Sequence, residues 1–431
     1  MQANSGLKIS SSTRTGPLEG VTVLDLTQIM AGPYCTMLLA DMGAKVIKVE
    51  KPGGGDDSRR MGPPFIKGES LAFLGLNRNK KSAVLDLKEQ RGVEAVKRMA
   101  RKSDVLVENW RPGAMDRLGL GYGALSAENP ALIYCSISGF GLTGPYAERG
   151  GFDLIAQGMS GLMSITGEPR SPPVKVGVPM ADLNAGTFAA FGIVSAYVHR
   201  LRTGQGQHIE TSLLEAALAY TVYESAMYLN TGAVSGPLGS AHRLSAPYQA
   251  LRARDGYINI GAANQSNWEK FASVIARRDL LADSRFATNA ARLQNQQALA
   301  AELEKTLSTR TRAEWLAALE KAGVPAGPIY DMAEVWADPQ VKAREMRVDR
   351  DHPVAGRVSH IGVPLKLTAT PGRIRTTAPA LGQHTDEVLA WAEYSQHEIA
   401  SLRKDGVAQG ERTGAATSAR QGQLGRNPQG R

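Results

Sequence analysis

Apolar runs and helical patterns alternate along the first third of the chain. Val21 to Leu26 is a short apolar run, which indicates a buried strand. Ala31 to Gly43 follows as a predicted helix, with Pro33 in its first turn and Gly43 at its end. The pattern then repeats, and strands separated by helices of about ten to fifteen residues predict parallel βαβ units with right-handed crossovers. The further predicted elements are the strands Val46–Glu50, Ser82–Leu87, Val105–Glu108 and Leu132–Ser136 and the helix Arg91–Lys102.

The periodicity changes in the second half of the chain. Leu213 to Tyr228 is predicted as an apolar helix, and Asn230 to Pro247 is a Gly-, Ser- and Pro-rich linker. One strand, Tyr257–Ala262, and amphipathic helices after it predict a smaller α+β domain, and Val354 to Leu367 resumes strands. We therefore expect disordered tails at residues 1–16 and 408–431, a Rossmann-like large domain from residues 17–229 and 346–407, and a linker with the small domain at residues 230–345.

Composition narrows the possible partners. The 431 residues carry a formal net charge of +9, but the C-terminal tail alone holds four arginines against the single acid Glu411. The remaining basic residues form no stripe interleaved with aromatics, so we expect no nucleic-acid binding. No run of about 18 apolar residues and no signal pattern is present, which predicts a soluble cytoplasmic protein without membrane contact. Cys35 and Cys135 lie in apolar segments and are predicted to be buried thiols.

Several common kinds of site lack their motifs. The turn Thr27–Pro33 has none of the G-x-G-x-x-G glycines of a dinucleotide site, and no Walker pattern or G-x-S-x-G elbow occurs. The seven histidines show no paired metal-ligand spacing, and no cysteine cluster joins them. We therefore expect neither a metal site nor a permanently bound cofactor.

Lysine and arginine recur in the loops around the predicted strands. In an open parallel sheet, the loops at the carboxyl ends of the strands converge on a ligand crevice. Any one of these side chains alone is as well explained as a solvated surface charge, but their convergence favours a phosphate-bearing ligand. They are Lys51, Arg59, Arg60, Arg78, Lys80, Lys81, Arg111 and Arg117.

Asp182 is a lone acid just before the apolar segment Thr187–Val198. Pro179 precedes it, and the small residues Ala185 and Gly186 follow it. Aspartate is among the commonest helix caps, because its carboxylate accepts backbone N–H bonds and meets the positive end of the helix dipole. A carboxylate at the mouth of a hydrophobic helix is also a candidate nucleophile, and the residues alone leave both interpretations open.

Several separate motifs resemble those of the class III coenzyme A transferases, the group of formyl-CoA:oxalate CoA-transferase. The resemblance runs in order from about Leu18 to Leu402 and is far more specific for the superfamily than for a substrate. It implies an α/β fold, with a Rossmann-like large domain and a smaller α+β domain, assembled as an interlocked homodimer. The motifs are Asp25–Pro33, Leu39–Glu50, Asn77–Ser82, Val107–Asn109 with Pro112–Gly113, Ser136–Pro145, Gly186, Thr203–Gln207 and Gly382–Leu389.

The resemblance implies that Asp182, within Ala181–Gly186, is the family's nucleophilic aspartate. In the family mechanism this carboxylate attacks the donor thioester to form a mixed anhydride, which the released CoA thiolate converts into an aspartyl-CoA thioester. The acceptor acid then takes the acyl position and leaves as its own CoA ester. An ordinary aspartate, with a pKa of about 3.9, is already ionised at neutral pH and needs no base to activate it.

The same resemblance implies the contacts to CoA, which would be a substrate. Met30 and Ala31 would contact it through the backbone, and Lys51 and Arg117 would meet its phosphates. Lys51 stands where relatives carry arginine, which keeps the charge but loses the bidentate fork. The other implied contacts are Leu71, Phe73, Asn109, Trp110, Phe152 and Asp153.

Two alternatives of different chemistry remain open. The superfamily includes α-methylacyl-CoA racemases, which carry a His-Asp pair where this chain has Phe152-Asp153. Without that histidine, racemisation of a 2-methylacyl-CoA loses half of its acid–base pair. A non-catalytic acyl-CoA-binding protein is the second alternative, and the intact Asp182 argues against it.

The acids that exchange CoA are predicted from resemblance and charge. Gly261–Gln265 lies where family members carry substrate-facing glycines, but it is not a polyglycine run, so it departs from the oxalate-type enzyme. Other stretches most resemble members that move CoA between succinate and dicarboxylates such as glutarate. We therefore expect succinyl-CoA or another dicarboxylyl-CoA as donor and a carboxylic acid as acceptor. The substrate candidates are Arg59, Arg60, His242, Arg243 and Gly261.

Overall fold

The computed structural model describes residues 16–411, and strands and helices alternate along it as predicted. The strands are β1 (Thr22–Asp25), β2 (Lys45–Glu50), β3 (Phe65–Ile66), β4 (Glu69–Ser70), β5 (Lys80–Leu85), β6 (Val105–Glu108), β7 (Ile133–Ser138), β8 (His208–Ser212), β9 (Tyr248–Ala253), β10 (Gly256–Gly261), β11 (Ala326–Pro328), β12 (Arg347–His352), β13 (Gly356–Ile361) and β14 (Ala408–Gln409).

The helices connect these strands, and a 3-10 turn, Asp57–Arg60, lies in the loop after β2. The α-helices are α1 (Ala31–Asp41), α2 (Leu71–Leu76), α3 (Gln90–Arg101), α4 (Ala114–Arg117), α5 (Tyr122–Glu128), α6 (Asp153–Met159), α7 (Leu162–Ile165), α8 (Met180–Thr203), α9 (Leu213–Ala219), α10 (Val222–Thr231), α11 (Gln265–Val274), α12 (Asp279–Ala282), α13 (Asn289–Gln294), α14 (Gln296–Leu307), α15 (Arg312–Lys321), α16 (Met332–Ala337), α17 (Pro339–Ala343), α18 (Thr385–Trp391) and α19 (Gln396–Lys404).

The main sheet has the strand order β14-β5-β2-β1-β6-β7-β8. Every neighbouring pair is parallel except β14 with β5, which is antiparallel at one edge. The inner strands are buried along nearly their whole length, as parallel strands covered on both faces must be. This confirms the predicted α/β class with a parallel-dominant sheet.

Helices α1 and α8 pack against each other and bring the nucleophile candidate to the sheet. The close approach depends on Gly186, because a Cβ there would lie 2.5 Å from the carbonyl oxygen of Ala31. On strands β1, β2 and β5, a separate apolar core is shared with helices α3, α5, α18 and α19. The second turn of α8 therefore lies beside the first turn of α1, which follows the carboxyl end of β1.

A second compact unit comprises residues 161–176 and 221–342. Its three-stranded sheet has the order β11-β10-β9 and is antiparallel. Trp268, Phe271 and Trp315 form the centre of its core together with leucines of α14 and α15. This unit has its own hydrophobic core.

Several boundaries differ from the expected ones. Residues 161–176 and 221–229 belong to the second unit and not to the large domain, and residues 343–345 belong to the first unit. The single helix predicted from Leu213 to Tyr228 is interrupted between α9 and α10, where the Tyr220 N–H bonds the Ala217 carbonyl in a tighter turn. Residues 408 and 409 are not part of a disordered tail, because their backbone pairs with β5 and the Thr385 hydroxyl donates to the Gln409 carbonyl at 2.6 Å. Of the tails predicted at residues 1–16 and 408–431, residues 1–15 and 412–431 lie outside the described part of the chain.

Strand β5 begins at Lys80, two residues earlier than predicted, because buried partners neutralise its charge. Lys80 Nζ lies 3.0 Å from Asp25 Oδ2 and also donates to the Pro33 carbonyl and to Asn77 Oδ1. Arg78 is likewise buried and bonds Asp41 at 2.7 Å. The prediction that these two cations bind a phosphate is therefore wrong.

Asp25, Lys48, Asp56 and Lys80 form one buried charge network where β1, β2 and β5 meet. Lys48 Nζ lies 2.9 Å from Asp56 Oδ2 and donates to the Thr27 carbonyl at 2.8 Å. Burial alone would raise the pKa of the Asp25 carboxyl, but Lys48, Lys80 and two threonine hydroxyls hold that pKa at about 2. Each charge in the network has a partner at hydrogen-bond distance.

Replacing Lys80 should destabilise the fold strongly. In Lys80→Met, Asp25 keeps its burial but loses one of its two cations, so we expect a loss of about 3 to 5 kcal/mol in the free energy of unfolding. Lys81→Met is the matched control, because Lys81 pairs with Glu387 at the surface and should contribute less than about 1 kcal/mol. Urea unfolding followed by circular dichroism measures both, and equal midpoints for the two variants would contradict the role of the network.

Candidate active site

Asp182 lies in the first turn of α8, but it does not cap the helix. The N-cap position is Pro179, which provides no side-chain cap bond. The N–H of Ala181 donates to Asp153 Oδ1 at 2.8 Å, so a carboxylate from α6 performs the capping. Within residues 16–411, no group donates a hydrogen bond to the Asp182 carboxylate. The helix-cap hypothesis is therefore wrong for Asp182, which is left without a structural partner.

The Asp182 carboxylate is costly to ionise. Burial raises its pKa to about 7, and the nearby Asp153 acts in the same direction. The expectation of an ordinary aspartate that is fully ionised at neutral pH is therefore wrong.

Asp182 opens into a cavity of about 250 Å³, which we call the nucleophile cavity. Its walls come from the turn between β1 and α1, from the ends of β6 and β7, and from the loop before α6. Within the described residues, Asp182 is the one carboxylate in this lining. The lining residues are Gln28, Ile29, Met30, Ala31, Asn109, Trp110, Arg111, Pro112, Ile137, Ser138, Gly139, Arg149, Gly150, Gly151, Phe152, Asp182 and Leu213.

Five residues predicted to contact CoA lie in this lining, and two of them also hold its wall in place. Asn109 Oδ1 accepts the Gln28 N–H, and Asn109 Nδ2 donates to the Gln28 carbonyl, both at 2.8 Å. Trp110 Nε1 donates to the Leu26 carbonyl at 2.7 Å. Asn109 and Trp110 therefore fix the turn that faces Asp182. The other three are Met30, Ala31 and Phe152.

A second cavity, of about 220 Å³, lies at the carboxyl ends of β1, β2 and β5, and we call it the crevice cavity. Its walls are mainly apolar, with Lys51 and Lys88 at the side. Gln28 and Trp110 line both cavities, so the two adjoin each other. This is the crevice at which the parallel sheet was predicted to bind its ligand. The remaining lining residues are Leu26, Thr27, Val49, Glu50, Gly55, Asp56, Leu85, Asp86, Leu87 and Leu118.

The two cations predicted to meet phosphates are exposed. Lys51 Nζ pairs with Asp57 at 2.7 Å in a solvent-exposed ion pair, and Arg117 ends the short helix α4 with an exposed side chain. Exposed pairs of this kind are worth little and exchange readily with solvent or ligand. Leu71, at the start of α2, is also exposed.

Arg59, Arg60 and Phe73 are engaged elsewhere in the structure. Arg59 makes two hydrogen bonds of 2.7 Å to buried Glu50, and its guanidinium lies 3.6 Å from the ring centroid of Phe73. Phe73 is only 1% exposed, so it is a core residue and not a ligand contact. Arg60 bonds Asp57 and the Gly54 carbonyl. Arg59 is therefore not available for a substrate carboxylate, and Arg60 is available only if its surface ion pair opens.

The other three substrate candidates lie in the second unit. His242 makes edge contacts with Tyr248 at 5.1 Å and with Tyr223 at 6.5 Å between ring centroids. Arg243 lies 3.4 Å from Glu224 and donates to the Gly236 carbonyl. Gly261 is the last residue of β10, and its N–H donates a hydrogen bond to the Pro325 carbonyl at 2.8 Å.

Among the residues of the nucleophile cavity that sequence reasoning did not single out are Gln28, Ile29, Ser138 and Arg149. Arg149 is exposed and its guanidinium lies 3.9 Å from the ring centroid of Tyr146. The glycines beside it were the available signal, because a Cβ on Gly139 would lie 2.5 Å from the Gly151 Cα. That backbone contact brings the loops after β7 and before α6 together at the cavity.

Neither a metal-binding cluster nor a membrane-spanning helix occurs in the described part of the chain. No group of three or more His, Cys, Asp or Glu side chains is placed to hold a metal ion there. No helix within residues 16–411 is long and apolar enough to cross a membrane.

Comparisons with known proteins agree on one family. Residues 18–385 match the model of CoA-transferase family III. A succinyl-CoA:glutarate CoA-transferase of Mus musculus is 40% identical over 398 residues, covering 92% of this chain and 91% of that protein. An acetyl-CoA:oxalate CoA-transferase of Acetobacter aceti is 42% identical over 354 residues, covering 82% of this chain and 90% of that protein. The crystal structure of a CAIB/BAIF family protein from Brucella suis is similar with a TM-score of 0.80 at 42% identity, covering 88% of this chain and all of that one.

The raised pKa of Asp182 predicts that its charge destabilises the fold at neutral and higher pH. A carboxyl whose pKa is near 7 in the folded state and 3.8 in the unfolded state makes the folded protein less stable as the pH rises between these two values. Asp182→Asn should therefore have a higher free energy of unfolding than the wild type. This difference should be about 1 kcal/mol larger at pH 8 than at pH 5.5. Glu148→Gln, the same kind of change at an exposed position, should show no such pH dependence in urea unfolding. A difference that is the same at both pH values would refute the raised pKa.

Proposed function

This chain belongs to CoA-transferase family III, and we propose that it moves coenzyme A from succinyl-CoA to a dicarboxylic acid with Asp182 as the nucleophile. The observation that carries the proposal is a carboxylate without a structural partner at the wall of a ligand-sized cavity. The substrate class comes from relatives, among them the mouse protein and a succinyl-CoA–D-citramalate CoA-transferase of Chloroflexus aurantiacus, 39% identical over 382 residues.

The first half of the reaction transfers CoA from the donor to the enzyme. A carboxylate oxygen of Asp182 attacks the carbonyl carbon of the thioester, the C–S bond breaks, and the CoA thiolate leaves with the electron pair. The thiolate then attacks the Asp182 carbonyl carbon of this mixed anhydride, and the C–O bond to that carbon breaks. The donor acid departs as its carboxylate, and Asp182 carries CoA as a thioester.

The second half runs the same steps in reverse with the acceptor. The acceptor carboxylate attacks the Asp182 thioester carbon and expels the CoA thiolate, which leaves an anhydride between Asp182 and the acceptor. The thiolate attacks the acceptor carbonyl carbon, the new CoA ester forms, and Asp182 returns as a carboxylate. No proton, oxidant or reductant is consumed over the cycle, in keeping with a site that uses CoA thioesters as substrates.

The two cavities suit the two ends of a CoA thioester. The apolar crevice cavity fits a flat base, with Lys51 and Arg117 near enough to the surface to meet phosphates. The nucleophile cavity begins on the other side of Trp110 and ends at Asp182. CoA would therefore lie across Trp110, with its thioester toward Asp182.

Arg149 is the better candidate for the second carboxylate of a dicarboxylic acid than Arg59 or Arg60. It lines the nucleophile cavity, and its stacking on Tyr146 reduces its freedom before substrate binds. Arg111 and Arg149, the arginines of this cavity, do not lower the pKa of Asp182, which indicates that neither guanidinium is in direct contact with its carboxylate. A dicarboxylate can span such a gap, with one end at Asp182 and the other at Arg149.

The racemase alternative is less favoured by the cavity. Proton transfer on both faces of an α-carbon needs two acid–base groups. Phe152, 76% exposed, stands in the lining where a racemase carries histidine, and within the described residues no histidine lines this cavity. A binding protein without activity would not need an unpaired carboxylate held at a raised pKa.

A homodimer is supported by the exposed face of α8. Phe191, Val194, Val198 and Leu201 follow one another at spacings of three and four residues, so they share one stripe of the helix. All four are exposed, and Phe191 and Leu201 are each at least 70% exposed. A continuous apolar stripe of this length on a 24-residue helix is typical of an interface. The proposed occupant is a second copy of this chain.

Asp182→Ala should lower kcat for succinyl-CoA:glutarate exchange by at least about a thousandfold, because within the described residues Asp182 is the one carboxylate that lines the nucleophile cavity. CoA binding, measured by calorimetry, should persist. Hydroxylamine added to the wild type with succinyl-CoA should leave a hydroxamate at Asp182, located by mass spectrometry of peptides. Glu148→Ala is the matched control and should keep wild-type kcat.

Three further measurements separate the proposed function from its alternatives. In the wild type, kcat/KM should fall about tenfold per pH unit below about 7, since the ionised Asp182 is the nucleophile. Deuterium uptake at the α-carbon of a 2-methylacyl-CoA would favour the racemase. Absence of turnover across succinyl-, acetyl- and formyl-CoA donors with mono- and dicarboxylate acceptors would favour the binding protein.

Arg149→Gln should raise KM for glutarate about tenfold, the loss expected for one charge-assisted hydrogen bond. KM for butyrate, which lacks the second carboxylate, and the Kd for free CoA should stay unchanged. Arg111→Gln is the matched variant, because Arg111 lines the same cavity directly after Trp110, the residue shared with the crevice cavity. Its loss should weaken the Kd for free CoA instead. A weaker Kd for CoA in Arg149→Gln, with an unchanged KM for glutarate, would assign Arg149 to a CoA phosphate.

A further inference from the structure

The turn between β1 and α1 holds a non-glycine residue in a left-handed conformation. Ile29 has φ +69°, a region that a β-branched residue occupies only under strain. Ile29 lines the nucleophile cavity, and so do the two residues that follow it, Met30 and Ala31. The strained residue therefore sets the direction of the backbone that faces Asp182.

A buried carboxylate holds Ile29 in this conformation. The Ile29 N–H donates to Asp56 Oδ1 at 3.0 Å and to Oδ2 at 3.3 Å. Asp56 is itself buried and fixed by Lys48, whose Nζ lies 2.9 Å away and also donates to the Thr27 carbonyl. Asp56 and Lys48 thus bind the backbone of Ile29 and of Thr27, the two neighbours of Gln28.

Asn109 fixes the residue between these two anchors. Its amide binds both the N–H and the carbonyl of Gln28. Residues 27, 28 and 29 are therefore held by side chains from β2, from the end of β6 and from the loop after β2. Of the three anchors, only Asp56 contacts the strained residue itself.

We propose that Asp56 is a positioning residue for the transfer reaction: it holds Ile29 left-handed and so keeps the Met30–Ala31 edge of the cavity in its reactive place. The first turn of α1 has no side-chain cap, so within the described residues the N–H groups of Ala31 and Gly32 can act as donors at this edge. Donors there can stabilise the oxyanion that forms when Asp182 attacks a thioester. The inference rests on the proposed function, and Asp56 acts through the backbone without touching substrate.

A double-mutant cycle between Asp56 and Ile29 tests this role. Asp56→Asn should lower kcat about tenfold to a hundredfold, because the strained conformer loses its charged anchor. KM for succinyl-CoA should change less than threefold. In an Ile29→Gly background the same Asp56→Asn change should lower kcat less than threefold, because glycine adopts positive φ without strain. Rescue by glycine is a readout that a purely structural role of Asp56 would not produce.

Ser58→Ala is the matched control. The Ser58 hydroxyl donates to the same Asp56 Oδ1 at 2.8 Å, so its loss removes a neighbour of Asp56 but leaves the Ile29 bond intact. Its kcat should stay within about twofold of wild type, even if its melting temperature falls as far as that of Asp56→Asn. If Asp56→Asn does not fold, Asp56→Glu takes its place, since it keeps the charge beside Lys48 and displaces the oxygens from Ile29.

Two outcomes overturn the proposal in distinguishable ways. Wild-type turnover with a trapped Asp182, together with equal kcat losses from Asp56→Asn in both backgrounds, overturns the positioning role and leaves the proposed function standing. A wild-type protein that shows no turnover with any donor refutes the proposed function, and the positioning role with it. A kcat loss in Ser58→Ala as large as that in Asp56→Asn would also overturn the positioning role.

Discussion

The site depends on a set of charges that lie entirely out of water. Asp25, Lys48 and Lys80 come from the adjacent strands β1, β2 and β5, Asp56 comes from the loop after β2, and each has a partner within 3.0 Å. Buried ion pairs add little net stability over apolar packing, but losing one partner is severe. Their main consequence here is geometric. They fix the turn from β1 into α1, impose positive φ on Ile29, and thereby shape the wall opposite Asp182.

The parts of the fold that follow from hydrophobic pattern were predictable, and those that follow from pairing of charges were not. Strand β1, helix α1 and the parallel order come from apolar runs that need no distant partner. From the sequence, Lys80 is predicted to be a loop cation, because its partner Asp25 lies 55 residues earlier in the chain and only the fold brings the two together. Arg59 likewise reads as a ligand contact until Glu50 and Phe73 enclose it. Residue type gives the charge, but only the tertiary structure gives its partner.

The same limit explains why Asp182 stayed ambiguous in the sequence. A helix-start aspartate is normally a cap, and only the carboxylate of Asp153, 28 residues before Ala181, removes that duty from it. Asp25 is fully buried and Asp182 is partly buried. Two lysines hold the pKa of Asp25 at about 2, whereas partial burial and a neighbouring acid raise the pKa of Asp182 to about 7. The first aspartate is committed to the fold, and the second is free for chemistry.

That difference bears directly on the proposed reaction. Acylation converts the Asp182 carboxylate into a neutral anhydride or thioester, so it removes the charge that burial and Asp153 oppose. The free enzyme is therefore raised in free energy relative to both covalent states, which favours nucleophilic attack. The partial burial responsible for this also limits the access of water to the anhydride. One feature of the site, a partly buried acid whose raised pKa no cation offsets, thus favours formation of the intermediate and helps to protect it once formed.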